Sequence, residues 1–282
     1  MARSTRSPGA AVRALALSAH PLPTAGVTII SAGLAGLTGL GAARGLLFTA
    51  AVFVGQLSIG WSNDWIDAAR DRAAGRRDKP VAGGDIGLPA VVAAAVGTLL
   101  LAAVLSLLLG VAAGVAAMTL TVAGWLYNLG LKKTPLSILC YAAGFGLLPA
   151  AATLARPGHP WPAWWVLGAG AVLGMAAHAA NVLPDLQSDR ATGVAGFWHR
   201  RGARATAVAG PVLLVLASVL VLFGSGDTAG WRFAALAVVA LLAVAGVVVG
   251  LHTPASRVPF AATIALAGID LALFAVSGAR LY

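Results

Sequence analysis

The sequence contains no glutamate, and only 10% of its 282 residues carry a charge. A water-soluble domain spreads roughly 25% charged residues over its surface, so this composition excludes an ordinary soluble fold. The single cysteine, Cys140, excludes an intrachain disulfide. What the chain does have is apolar mass, with 59% of its residues hydrophobic, and 35 glycines. Small residues let transmembrane helices approach closely. The composition predicts one polytopic membrane domain.

A helix needs ~20 mostly apolar residues to cross a bilayer. Nine stretches qualify, at about 20–42, 44–66, 89–109, 111–129, 136–155, 163–186, 203–224, 229–251 and 258–279. Gly110, Pro135 and the run RPGHPWP punctuate the junctions. The expected fold is therefore all-α: nine transmembrane helices in one domain over 19–282, built as two related half-bundles around a central cavity. Residues 1–18 read as an uncleaved basic tail. Trp161, Trp164 and Trp165 form a candidate interfacial belt where the sixth span begins.

The basic residues orient this bundle. With a cytoplasmic N-terminus, Arg3, Arg6, Arg13, Arg70, Arg72, Arg76, Arg77, Lys79, Lys132, Lys133, Arg190, Arg200, Arg201, Arg204 and Arg257 all fall on the cytoplasmic side. Only Arg44, Arg156, Arg232 and Arg280 fall on the other. That asymmetry is a strong positive-inside signal for a multi-pass cell-membrane protein. Basic loops against anionic headgroups and an anionic substrate also account for the net charge of +10, with no nucleic acid needed.

All nine acids are aspartates, and five of them sit in two matching stretches. NDWIDAARDRAAG begins at Asn63 and NVLPDLQSDRATG at Asn181, with six identities in thirteen positions. Both fall at cytoplasmic ends of spans that run in the same direction, as an internal repeat would place them. At ~100° per residue, Asp64, Asp67 and Asp71 share one helical stripe with Asn63 beside it, and Asn181, Asp185 and Asp189 share another. Clustered carboxylates at a membrane boundary repel one another and lose hydration, and the helix C-terminus adds further negative potential. A cation relieves all three costs. The donors are all oxygen, with no Cys or His at ligand spacing, which selects Mg²⁺ completed by substrate phosphates.

NDWIDAARD resembles the first Asp-rich motif of the UbiA superfamily of intramembrane prenyltransferases, and DLQSD resembles the second. The resemblance covers almost the whole chain. It implies that Asn63, Asp64, Asp67 and Asp71 face Asn181, Asp185 and Asp189 and bind a prenyl diphosphate through Mg²⁺. The implied activity is ionisation of that diphosphate and transfer of the prenyl group to a lipophilic, often aromatic, acceptor. YNLGLKK resembles the family's Tyr-plus-Lys element and offers Tyr127. The usual lysine position holds Leu131, so either Lys132 or Lys133 would reach phosphate. Arg72 and Arg190 occupy equivalent places in the repeat and would either hold phosphate or pair with a neighbouring Asp. DRATGVAGFWHRRG resembles the segment after the second motif in quinone-pathway members. Many members open the first span with Arg-Pro; His20-Pro21 stands there instead, which weakens the case for a carboxylate-bearing acceptor.

Two other readings stay open. A terpene cyclase would use the same Asp–Mg²⁺–diphosphate site without an acceptor. A transporter could also carry repeated Asp pairs, although its site would lie near the bilayer midplane. His178, two turns deeper than Asp185, would either meet ligand or pack between helices. Asp270, buried in the last span, has no assigned role.

Overall fold

The structure is a computed structural model that describes residues 8–77, 79–226 and 228–277. Arg3, Arg6 and Arg280 of the charge pattern lie outside those residues, as does Asp78. The described chain is all helix and turn: α1 (Pro8–Ser18), α2 (Pro21–Leu37), α3 (Ala42–Ala73), α4 (Leu88–Leu107), α5 (Val111–Leu129), α6 (Ser137–Leu154), α7 (Trp164–Val182), α8 (Leu186–Ala191), α9 (Phe197–Phe223), α10 (Gly230–His252) and α11 (Val258–Ser277). Short 3-10 turns at Leu131–Lys133 and Leu183–Asp185 complete it.

Seven helices, α3 to α7, α9 and α10, are long and apolar enough to span a membrane, the α7 span running on through α8. The apolar parts of α1 and α2, bent by 66°, pass the same test together, and α11 carries a shorter apolar stretch, Val258–Leu273. Among the described residues these make seven full spans, an eighth formed by the bent α1–α2 pair and a shorter ninth apolar helix, close to the expected nine-helix bundle. Residues 8–18 of the expected tail are helical.

Helices α2, α3, α5, α6, α7 and α11 pack in a ring, each against its neighbours. Helix α4 lies against α3 and α5, and α10 lies against α9. Their outward faces are apolar: Leu100, Val104, Leu241 and Val244 are all more than half exposed, as residues facing hydrocarbon must be. Several polar side chains inside the spans are satisfied locally. Ser31, Thr98 and Ser218 donate to the carbonyl four residues back, at 2.6–3.1 Å.

The ends of the bundle are tied differently. Away from the Asp motifs, Arg44 donates to Leu109 O and Ala155 O, Arg156 to Thr38 O, and Arg232 to Leu222 O. Three of the four basic residues expected on that side therefore satisfy carbonyls that helix C-termini leave open.

Two helix boundaries depart from the sequence pattern. Helix α3 runs seven residues beyond the expected 66, which keeps Asp67 and Asp71 on one continuous helix. The sixth span runs past its expected end, with a local change at Pro184. Pro184 has no N–H to donate, and the chain passes through a 3-10 turn before α8 begins. The second motif is thus interrupted by one tight turn within a single apolar span.

Candidate functional site

A cavity of about 490 Å³ opens inside the ring, within the usual range for ligand pockets. Its mouth is lined by Asp64, Asp67, Asp185 and Asp189 together with Arg70, Arg76, Lys79, Lys132 and Arg257. Its interior is lined by apolar and aromatic groups from α2, α5, α6, α7 and α11, among them Val27, Leu120, Phe145 and Leu173. One end can hold a charged group and the other a hydrocarbon.

The aspartates of the first motif are buried, and Asp67 is the most heavily engaged. Lys132 Nζ reaches both oxygens of Asp67, at 2.5 and 2.6 Å, and Arg70 Nη2 donates to Asp67 Oδ2 at 2.9 Å. Asn63 donates to Asp67 at 3.3 Å and to Asn128 Oδ1 at 3.1 Å. Asn128 is held in turn by Ile59 O and Ser62 Oγ. Burial pulls the Lys132 ammonium below the usual lysine range, opposed first by Asp67 and also by Asp189 of the second motif. Lys132 therefore feels both motifs.

Asp64 is engaged through one oxygen. Its Oδ1 lies 2.8 Å from Lys79 Nζ and 3.0 Å from His20 Nε2, while its buried Oδ2 has no hydrogen-bond partner. His20 reaches it because the α1–α2 break packs directly on α3. Gly60 makes that contact possible: a Cβ there would lie 2.5 Å from Ala19 O. His20 itself takes a left-handed backbone, φ 52°, uncommon for a residue other than glycine.

The second motif is more open. Asp185 Oδ1 faces Arg76 Nη2 at 3.6 Å, and Asp189 Oδ2 faces His199 Nε2 at 3.2 Å. Asn181 donates to Tyr141 Oη at 3.1 Å. Arg76 follows the first motif in sequence, so this contact joins the two repeats across the mouth.

Asn63, Asp64, Asp67, Tyr127, Lys132, Asn181, Asp185 and Asp189 all line the cavity, as the sequence places them. Asp71, Arg72, Lys133 and Arg190 do not. The chain after α3 turns back over the helix end, with Arg76 N donating to Asp71 O at 2.9 Å. That fold buries Asp71 beside Arg70 and brings Arg76 and Lys79 to the cavity in its stead. Arg72, Lys133 and Arg190 are exposed, and Arg190 donates to the backbone of His199. His178 is fully buried behind the lining, stacked on Tyr141 (4.5 Å between centroids) and edge-on to Tyr127.

His20, Arg70, Arg76, Lys79, Asn128 and Tyr141 join the lining without having been expected there. Asn128 had a readable signal, being an amide inside an apolar span, where a polar side chain needs a stated partner. The positions of His20 and Lys79 follow from helix crossings that no local pattern encodes.

Among the described residues, no three His, Cys or Asp side chains close around one point as a metal cage would. The donor set is oxygen, and the unpartnered Asp64 Oδ2 leaves lone pairs for a ligand. That arrangement fits Mg²⁺, which takes one or two carboxylates and fills its octahedron with water and substrate phosphate.

No curated protein matches the chain in sequence. Among solved structures it is similar to a UbiA homologue from Archaeoglobus fulgidus bound to GPP and Mg²⁺, with TM-score 0.72 and 14% identity over 94% of this chain and 98% of that one. It is also similar to the apo structure of a UbiA homologue from Aeropyrum pernix K1, with TM-score 0.70 and 18% identity over 89% and 97%. A third similar structure is that of digeranylgeranylglyceryl phosphate synthase, with TM-score 0.64 and 18% identity over 94% and 97%. The model of the UbiA prenyltransferase family matches residues 24–273, nearly the full span of the helical ring. The chain belongs to the UbiA prenyltransferase family.

Proposed function

We propose that the protein is an Mg²⁺-dependent intramembrane prenyltransferase, ionising a prenyl diphosphate and passing the prenyl group to a lipid-phase, aromatic acceptor. The observation that carries this reading is the two-part cavity, with four carboxylates and five cationic side chains at its mouth and an apolar interior. The relatives whose structures hold GPP or DMAPP with Mg²⁺ support the same ligand class.

In this reading Asp64, Asp67, Asp185 and Asp189 hold the metal, which supplies Lewis-acid neutralisation of the departing diphosphate. Lys132, Arg70, Arg76 and Lys79, each paired with a carboxylate in the structure, would exchange that partner for phosphate oxygens of the bound diphosphate. Asn63, Asn128, Asn181 and Tyr127 fix the geometry around that exchange. Asp71 acts from behind, positioning Arg70 and the returning loop. Fixed charges in a water-poor site stabilise developing negative charge far more than they would in water. The apolar walls keep water from the allylic cation until the acceptor attacks.

The test is product analysis of the bilayer-reconstituted protein with labelled prenyl diphosphates, Mg²⁺ and a pool of lipid-phase aromatic acceptors. Prenylated acceptor supports the reading. Hydrocarbon formed equally with and without acceptor would replace it with a cyclase, and full turnover in excess chelator would remove the metal. The excess of basic residues near the mouth supports a cytoplasmic site. Thiol labelling of cysteines placed in 72–77 and 190–195, in a Cys140→Ala background, should then require a reagent inside the cell. Labelling only from outside would reverse the orientation.

A further inference from the structure

Beyond the main cavity lies a second compartment of about 90 Å³, bordered by Leu34, Leu37, Trp165, Val166 and Val221. Both cavities share Ile30, Phe145, Leu173 and Ala267 as walls, so they adjoin at that level. On α7, the main cavity extends from Asn181 to Leu173 and the second from Leu173 to Trp165. At 1.5 Å per residue each stretch is roughly 12 Å deep. An isoprene unit adds four chain bonds against three for a residue of ~3.3–3.6 Å, so it covers roughly 5 Å extended. Two or three units span the first compartment, and a longer tail continuing along α7 enters the second.

Two features oppose that entry. Phe145 stands on the shared wall, its ring parallel to Tyr141 at 6.4 Å between centroids and 4° between planes. Its backbone is pressed against α7, where a Cβ on Gly170 would lie 2.5 Å from Phe145 O and one on Gly174 would lie 2.8 Å from Phe145 Cβ. The residue cannot back away from the cavity without parting the two helices. The second feature is Asp270, only 6% exposed and on the wall of the second compartment. Ser218 Oγ donates to its Oδ2 at 3.0 Å, while its Oδ1 has no partner. The compartment is otherwise apolar but large enough for a water that would hydrogen-bond this oxygen. A hydrocarbon tail seals the oxygen in with no donor, and burying an unpaired polar group is costly.

We propose that Phe145 and Asp270 together set an upper limit on the length of the isoprenoid tail, Phe145 as a steric floor and Asp270 as the one polar group, disfavouring hydrocarbon, in an otherwise apolar wall. The proposal rests on the prenyl diphosphate reading of the mouth, and it makes two or three isoprene units the preferred length.

The experiment is equilibrium binding of non-ionising prenyl thiolodiphosphates of two to five isoprene units to the full chain in lipid nanodiscs with Mg²⁺. The wild type should bind two- and three-unit ligands at least about tenfold more tightly than four- and five-unit ones, the scale of discrimination an apolar pocket achieves. Phe145→Ala should raise the ratio of four-unit to two-unit affinity about tenfold, with thermal unfolding as the control for folding. Asp270→Ala should relax the limit by a smaller factor, and Asp270→Asn, which keeps a polar group in place, should preserve it. Equal affinity across all lengths in the wild type, or no shift in either alanine variant that still binds the two-unit ligand, overturns the length limit alone. Loss of two-unit binding in both alanine variants overturns the separation of floor from mouth on which the limit depends. No binding at any length in the wild type overturns the prenyl diphosphate reading and the limit with it.

Discussion

The two Asp motifs share six identities in thirteen residues, yet the fold treats them differently. The first lies on one unbroken helix, where the side chains of Asp64, Asp67 and Asp71 are each under 10% exposed and each lies against a cationic group. The second is cut by Pro184, and the side chains of Asp185 and Asp189 remain 35% and 20% exposed. The same words thus serve two mechanical purposes. The first motif is part of the bundle's interior, and the second is the more exposed jaw of the mouth.

The largest effect that comparison predicts is at Asp67. Removing one partner of a buried ion pair leaves the other charge uncompensated, typically at a cost of ~3–5 kcal/mol. Asp67→Ala should therefore lower both stability and activity, read by thermal unfolding and by turnover of prenyl diphosphate. Asp185→Ala should abolish activity as fully while moving stability by only ~0–1 kcal/mol, because its partner contact is long and solvated. Equal destabilisation by the two changes would break the distinction between interior and jaw.

A smaller effect is expected at Pro184. Pro184→Ala restores a backbone donor and allows α7 to continue into α8, and proline inside a helix costs ~3 kcal/mol. Thermal stability should hold or rise while turnover falls, because Asp185 and Asp189 rotate off the cavity. Unchanged turnover would show that the break does not set their position. Least affected should be Arg72→Ala and Lys133→Ala, exposed changes that typically stay within ~0.5 kcal/mol in stability and should leave activity near wild type. A strong loss of activity at either position would return it to the site from which the fold excludes it.

The spans and the acidic stripe on α3 were legible because each is written in local spacing and composition. Other features depend on where distant helices cross. Lys132 and Lys133 are indistinguishable in sequence, and only the 3-10 turn after α5 decides that one points inward and its neighbour outward. Arg72 looks equivalent to Arg190, but both point out once the chain after α3 folds back and Arg76 takes the inner place. Arg44, Arg156 and Arg232 read as loop charges, and their use as carbonyl donors appears only with the helix ends assembled. Pro184 was visible as a proline, yet the expected span ran two residues past it, to 186.

The central claim is that both motifs grip a single metal-bound diphosphate, and a double-mutant cycle tests it most directly. Asp67→Asn and Asp189→Asn each remove one charge at nearly constant size, from opposite sides of Lys132. The affinity for a two-unit prenyl thiolodiphosphate, measured at fixed free Mg²⁺ for the wild type, both single variants and the double variant, gives the coupling. Residues in one network couple by ~0.5–3 kcal/mol, whereas independent sites add within ~0.5 kcal/mol. The shared site predicts that the double change costs clearly less than the sum of the singles. Strict additivity would contradict it, leaving the repeated motif as two separate sites.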